Sequence, residues 1–181
     1  VDVRQALAYV DGNFDKQVAE WVRITETPAP SGQEAARAAY VKAEFEKLGL
    51  QLHVDGIGNV SGRRAGSGGG PTVVFAAHLD TVFPIGTDLT VRREPNGRFR
   101  APGVFDNSAS VANMLQAARA MEAASLHTRG DVVFLATTQE ELGLRGMYYW
   151  FDQNKGAVDM VIALDSGLGP VSYGALGIYW S

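Results

Sequence analysis

The 181-residue sequence contains no cysteine. This absence excludes disulfide bonds, a cysteine nucleophile and thiolate metal ligands. Any metal ion would have to be held by histidine, aspartate and glutamate. Histidine is itself scarce, with three residues in the whole chain, so an imidazole ligand has few candidates.

The sequence also lacks a long apolar run and a large excess of either charge. No stretch approaches the roughly 18 apolar residues of a membrane span, and no basic region followed by an apolar segment opens the chain. Sixteen basic and 20 acidic residues give a net charge of -4, so we expect no nucleic-acid partner and no membrane partner. The compartment stays open: the cytoplasm is slightly favoured, and export would require a signal peptide already removed.

Strand-like and helical patterns alternate along the chain, which has the length and composition of one ordinary soluble domain. Short apolar runs predict strands at 50–55, 58–64, 71–78, 131–138 and 158–167, and a hairpin with an "NG" turn at 89–101. Helical spacing predicts helices at 14–25, 31–49, 108–124 and 144–154. This order predicts an α/β fold with a mostly parallel sheet flanked by helices.

The start of the second predicted helix has a local signature of its own. Ser31 is followed three residues later by Glu34, which is the pattern of a capping box. We therefore predict that Ser31 caps this helix and that the helix stops at Gly49.

Polar groups follow three of the apolar strands, and one more acid precedes a helix. The residues are His78 and Asp80, Glu140 and Glu141, Asp165, and Asp106. In an open parallel sheet the carboxyl ends of strands share one edge. Five carboxylates and one imidazole would repel strongly there unless cations neutralise them, and these donors suit zinc, with manganese and cobalt also compatible.

The spacing of these residues suggests separate roles. His78 would bind metal directly, and Asp80, two residues on, would accept the other imidazole N–H and fix the tautomer. Neighbours at a strand end point in different directions, so one residue of the pair Glu140 and Glu141 can hold metal while the other acts as a base.

Each residue also has an ordinary explanation when it is taken alone. His78 could be a hydrogen-bonded core histidine, Asp106 a helix-capping acid and Asp165 a turn residue. Glu140 and Glu141 could begin a helix or lie in a solvated loop. Their joint occurrence at successive strand ends favours a metal centre.

Four ordered motifs carry a resemblance to a known family: "AAHLDTV", "PGVFDNSASVANMLQAARAM", "TTQEELGLRGMYY", and "ALDSG" followed by "YGALG". They resemble the co-catalytic di-zinc metallopeptidase family that includes peptidase T, glutamate carboxypeptidase, aminoacylase and acetylornithine deacetylase. Single-domain aminopeptidases of the same clan share much of the middle section. The N-terminal "TPAPSGQE" and the phrase "HLDTVFP" favour the first group.

The resemblance implies a zinc-exopeptidase-like fold, two zinc ions and a cis peptide bond after Asp106. It also assigns roles: His78 and Asp165 bind one zinc, Asp106 bridges both, Glu141 binds the other, Glu140 is the general base, and Asp80 supports His78. The implied reaction is hydrolysis of amide bonds in short peptides by an exopeptidase, through a water activated by the metals and Glu140.

One family feature is missing from this sequence. The family has a final histidine ligand far along the chain, and neither His53 nor His127 occupies a matching position. We therefore expect residues 1–181 to be the N-terminal portion of a zinc-peptidase catalytic domain, truncated before an inserted lid and dimerisation domain that could make a homodimer. Such a fragment should hold its first metal better than its second and show weak activity or none alone.

Two other functions stay open at this stage. A deacylase of N-acyl amino acids would use the same metals and the same base, so that only the pocket would separate it from a peptidase. A non-catalytic binding or assembly module would keep the sheet without the chemistry. The missing histidine favours that module, whereas Glu140 and the four metal-type ligands oppose it.

Overall fold

The computed structural model describes residues 3–165. Within this range the helices are α1 (Val3–Gly12), α2 (Phe14–Thr25), α3 (Ala35–Lys47), α4 (Ser108–Ala123) and α5 (Arg145–Asn154). The strands are β1 (Gln51–Val54), β2 (Val60–Arg64), β3 (Val73–His78), β4 (Arg92–Arg93), β5 (Phe99–Arg100), β6 (Val132–Thr137) and β7 (Met160–Ala163). None of these helices is long and apolar enough to cross a membrane.

Five strands form the main sheet in the order β1-β2-β6-β3-β7, and β4 pairs with β5 in a separate hairpin. Strand β3 runs parallel to both β6 and β7, whereas β1, β2 and β6 pair antiparallel. The α/β class is confirmed, and the sheet is mixed. Strands β1 and β2 pair antiparallel because residues 55–59 link them too briefly for a parallel crossover.

Apolar side chains cover both faces of the central strands. On one face α2, α3 and α4 enclose a core that includes Ile24, Phe45, Leu115 and Phe134. On the other face Trp150 of α5 packs against residues of β3 and β6. Every residue of β6 is therefore buried, which explains why its sequence reads as a continuous apolar run rather than an alternating one.

The predicted helices are present, with different limits in places. Helix α2 has the predicted bounds. In the predicted hairpin, the "NG" turn places Gly97 at a φ of 84°, where glycine is favoured. Helix α1 was not predicted. Its apolar residues Val3, Ala6, Leu7 and Val10 do recur at helical spacing, but only Ala6 of its ten residues is buried.

The predicted capping box is wrong. Helix α3 begins at Ala35 without a side-chain cap hydrogen bond, and it ends at Lys47. The Ser31 hydroxyl instead donates to Asp80 Oδ2 at 2.6 Å, and Glu34 Oε1 accepts from the backbone N–H groups of Gly32 and Gln139. Both side chains are used by tertiary contacts that the local pattern does not reveal.

Phe134 offers a test of the core. Its ring is fully buried and lies near those of Phe45 and Phe75, with centroid distances of 6.2 and 5.9 Å. Phe134→Ala should lower the free energy of unfolding by about 3–5 kcal/mol, measured by urea denaturation. The control Phe151→Ala, at a residue 42% exposed, should cost less than about 1 kcal/mol. Equal losses in both variants would contradict this placement of the core.

Candidate metal centre

The parallel strands bring the predicted site residues to one edge of the sheet. His78, the last residue of β3, is opposite Thr137, the last residue of β6. Ala76 is opposite Ala163, the last residue of β7. The segments that follow β6 and β7 therefore begin beside His78.

Three carboxylates surround the imidazole of His78. Its Nε2 atom lies 3.0 Å from Asp106 Oδ1, 3.8 Å from Glu140 Oε2 and 3.8 Å from Asp165 Oδ1. The ligand atoms of His78, Asp106 and Asp165 all lie within 4.8 Å of one another, and so do those of His78, Glu140 and Glu141. The predicted residues thus form one continuous cluster.

The donors in this cluster fit a catalytic metal ion. One imidazole nitrogen and several carboxylate oxygens are ligands that suit zinc, manganese or cobalt. The imidazole is buried, whereas the side chains of Asp106 and Asp165 are 50% and 46% exposed. A metal ion held between them would remain accessible to water and substrate from the exposed side, as catalysis requires.

The electrostatics of the cluster favour a cation. Burial lowers the pKa of His78, but the nearby carboxylates of Asp165, Asp80 and Glu140 outweigh burial and raise this pKa to about 10. Burial raises the pKa of Glu140 and Glu141, with further increases from nearby acids and an opposing effect of His78. Without metal, the imidazolium supplies part of the positive charge that the carboxylates require.

Asp80 lies behind the imidazole and is completely buried. His78 Nδ1 is 3.0 Å from the Asp80 backbone carbonyl oxygen and 3.4 Å from its carboxylate oxygen Oδ1. The expected contact from the imidazole to Asp80 therefore involves the backbone carbonyl oxygen of Asp80 as well as its carboxylate. The backbone oxygen is the nearer of the two. Burial raises the pKa of Asp80, but hydrogen bonds from His78, Ser31 and two backbone N–H groups outweigh burial and lower it.

Asp106 reaches the cluster from the loop before α4. The peptide bond from Asp106 to Asn107 is cis, which confirms that expectation. The N-cap of α4 is Asn107, without a side-chain cap hydrogen bond, and its Nδ2 atom donates to the Leu164 carbonyl oxygen at 3.0 Å. This bond ties the Asp106 loop to the segment that carries Asp165.

The other two histidines lie elsewhere. His53 is an exposed residue of edge strand β1, and His127 is an exposed residue of the loop before β6. Neither belongs to a group of ligand atoms within residues 3–165.

Two buried polar residues that support the cluster were missed as site residues. Glu34 was interpreted only as part of a capping box, and Asn59 was not singled out. Asn59 Oδ1 accepts from the Thr138 N–H at 2.8 Å, and Asn59 Nδ2 donates to the Gly146 carbonyl oxygen at 2.9 Å. No local pattern marks this role, because both partners lie about 80 residues away along the chain.

Comparison with known proteins identifies the family of this chain. The family model described as Peptidase family M28 matches residues 59–171, which is more than half of the chain. The chain belongs to peptidase family M28.

Curated relatives of this M28 chain include a LysW-lysine hydrolase of Deinococcus radiodurans and a succinyl-diaminopimelate desuccinylase of Leptothrix cholodnii. The first is 31% identical over a segment that covers 71% of this chain and 34% of the relative. The second is 34% identical over a segment that covers 66% of this chain and 33% of the relative. The M28 chain thus spans about a third of the length of these relatives.

Among solved structures, aminopeptidase PepT of Bacillus cereus is similar to the M28 chain with a TM-score of 0.71 and 24% identity, over 84% of this chain and 43% of PepT. This likeness confirms the zinc-exopeptidase-like fold. Together with the family match, it confirms the expected relationship to metallopeptidases.

The proton on His78 makes metal binding depend on pH. Because the pKa of His78 is about 10 without metal, an ion must displace a proton to bind Nε2 below that pH. We expect the apparent zinc affinity to rise about tenfold per pH unit from about pH 6 to 8, measured by competition with a chromophoric chelator. His127→Ala should keep this slope and His78→Ala should abolish it. A flat profile in the unmodified protein would contradict the assignment.

Proposed function

We propose that this M28 chain serves metal-dependent hydrolysis of amide bonds in short peptides, with zinc as the ion and Glu140 as the general base. The observation that carries the proposal is the position of Glu140. Its Oε2 atom is 3.8 Å from His78 Nε2, in the middle of the carboxylate cluster. The side chain is only partly exposed, so that it can reach a bound substrate while remaining partly shielded from bulk water.

The other acids of the cluster are suited to hold the ions. In this proposal His78 and Asp165 would hold one ion, Glu141 would hold the other, and Asp106 would contribute to both. Asp106 is close enough to Glu141 for its charge to raise the pKa of that side chain. The bound ions would polarise the amide carbonyl and make a nearby water more acidic.

Glu140 would move the proton. Burial and the neighbouring acids raise its pKa, which brings a carboxylate closer to the working pH of a general base. It would take a proton from the attacking water as the carbon–oxygen bond forms. The same proton would then pass to the leaving amine nitrogen as the carbon–nitrogen bond breaks.

Asp80 would keep the imidazole in place during these steps. Its carbonyl oxygen accepts the Nδ1–H of His78 in the tautomer that leaves Nε2 free to bind a metal ion. The neighbouring carboxylate, whose pKa is lowered, stays ionised and stabilises the imidazole ring.

A deacylase of N-acyl amino acids is the second candidate. The similarity to a protein named a succinyl-diaminopimelate desuccinylase favours it, whereas the peptidase family match favours short peptides. Both substrates contain an amide carbonyl that the same base and ions can act on. We also propose that residues 1–181 form the N-terminal portion of the catalytic domain, since the matched segment covers only about a third of each relative.

Substitution of the base tests the proposal. In zinc-loaded protein made from the full coding sequence, Glu140→Gln should lower kcat about 10²- to 10⁴-fold and leave the zinc content per chain unchanged, measured by elemental mass spectrometry. The control Glu122→Gln, at a side chain 60% exposed, should retain normal activity. Loss of zinc from Glu140→Gln would make Glu140 a ligand instead of a base.

The same preparation distinguishes the two substrate classes. It would be assayed with di- and tripeptides that have free amino termini and with N-succinyl and N-acetyl amino acids. Higher kcat/KM for the peptides supports the peptidase, and the reverse order supports the deacylase. If neither class is hydrolysed by protein with a full zinc content, amide hydrolysis is wrong and a binding module becomes the better interpretation.

A further inference from the structure

The loop that carries Glu140 and Glu141 is held by its backbone. Four successive N–H groups, from Thr138 to Glu141, each donate to a side chain from another part of the chain. The bonds are Thr138 N to Asn59 Oδ1 at 2.8 Å, Gln139 N to Glu34 Oε1 at 3.0 Å, Glu140 N to Asp80 Oδ1 at 2.9 Å, and Glu141 N to Asp80 Oδ2 at 3.1 Å.

The chain changes direction within this segment. Strand β6 ends at Thr137, and Gln139 has a φ of 53°, in the left-handed region that few residues other than glycine adopt. The N–H groups beyond β6 therefore leave the sheet ladder and need other acceptors. The conformation of Gln139 sets the directions in which the next two side chains leave the backbone.

Glu34 is the acceptor at this turning point. Its side chain is buried, with 5% of the residue exposed, and its Oε1 atom accepts from Gln139 N and from Gly32 N at 2.8 Å. It makes no side-chain cap hydrogen bond at the start of α3, so helix capping does not account for it. Burial of a carboxylate is costly unless it is hydrogen-bonded. Of the two hydrogen bonds that Glu34 accepts, the one from Gln139 N comes from a distant part of the chain, the loop that carries Glu140.

The segment around Glu34 reaches the same loop at a second point. Ser31 donates to Asp80 Oδ2, and Asp80 accepts from the two N–H groups that follow Gln139. A backbone bridge between Pro30 and Thr81 fixes this segment beside the residues that follow β3. Residues 30–34 therefore brace three consecutive peptide groups of the loop, two through Asp80 and one through Glu34.

We propose that Glu34 is a positioning residue of the metal centre. By holding the Gln139 N–H it orients Glu141 toward the second metal ion and Glu140 toward the substrate, without touching either. The inference rests on the function proposed above for these two glutamates.

Two substitutions of Glu34 test this role. Glu34→Ala removes the acceptor, while Glu34→Gln keeps an amide oxygen that can accept the same two N–H groups. Cobalt titration followed by visible absorption would resolve the two binding steps, with Asp165→Asn as the reference for the first ion and Glu141→Gln for the second. The matched control is Glu46→Ala, at an exposed glutamate of α3 whose side chain pairs only with Lys42, at 3.0 Å, among the contacts described.

A positioning role predicts an unequal effect on the two ions. In Glu34→Ala the second dissociation constant should rise about 10- to 100-fold, while the first, set by His78, Asp106 and Asp165, should stay within about threefold. Glu34→Gln should recover most of the second step, and Glu46→Ala should match the unmodified protein. With a hydrolysed substrate, kcat should fall in Glu34→Ala while KM changes little, because the substrate does not touch Glu34.

Two results would overturn the inference. One is an equal weakening of both binding steps in Glu34→Ala together with a lower melting temperature, since that is the pattern of general destabilisation. The other is an unchanged second step. Neither result depends on hydrolysis. Failure of the proposed function would therefore not be mistaken for failure of this inference.

Discussion

The buried carboxylate of Asp80 is the interaction on which the candidate metal centre depends. An ionised carboxylate without solvent contact is costly unless donors surround it. Here the donors are the Ser31 hydroxyl and the N–H groups of Glu140 and Glu141, with the His78 imidazole 3.4 Å away. One group thus connects the segment before α3, the end of β3 and the loop after β6, so a shift in any of them would disturb the other two.

Metal and proton compete within this arrangement. The acids crowd one imidazole, and their combined charge raises the pKa of His78 to about 10 even though burial opposes it. A metal ion would provide the same neutralisation with a larger charge and more ligand contacts. Binding of an ion would therefore offset the repulsion among the acids, and metal affinity would depend on the rigidity of the loops that present them.

The parts of this centre that sequence could predict are those fixed by local pattern. Apolar runs located β3, β6 and β7, and parallel strands must share one edge for their carboxyl ends, so His78, Asp165 and the Glu140 pair were expected to converge. The support of the loop could not be predicted in this way. The S-x-x-E pattern of Ser31 and Glu34 is the same whether the side chains cap a helix or reach Asp80 and Gln139, and only the tertiary fold decides between these outcomes.

Burial decreases across the site, from the residues that hold the others in position to the carboxylates that face solvent. Asp80 is fully buried and His78 is 4% exposed, whereas the side chains of Asp106 and Asp165 are about half exposed. Hydrogen bonds in the buried part are shielded from water and hold their geometry. The exposed carboxylates can adjust to an ion and a substrate that approach from solvent. Because the buried donors lie on one side and the exposed carboxylates on the other, the solvent-facing side of the cluster is, within residues 3–165, the side from which an ion and a substrate would approach.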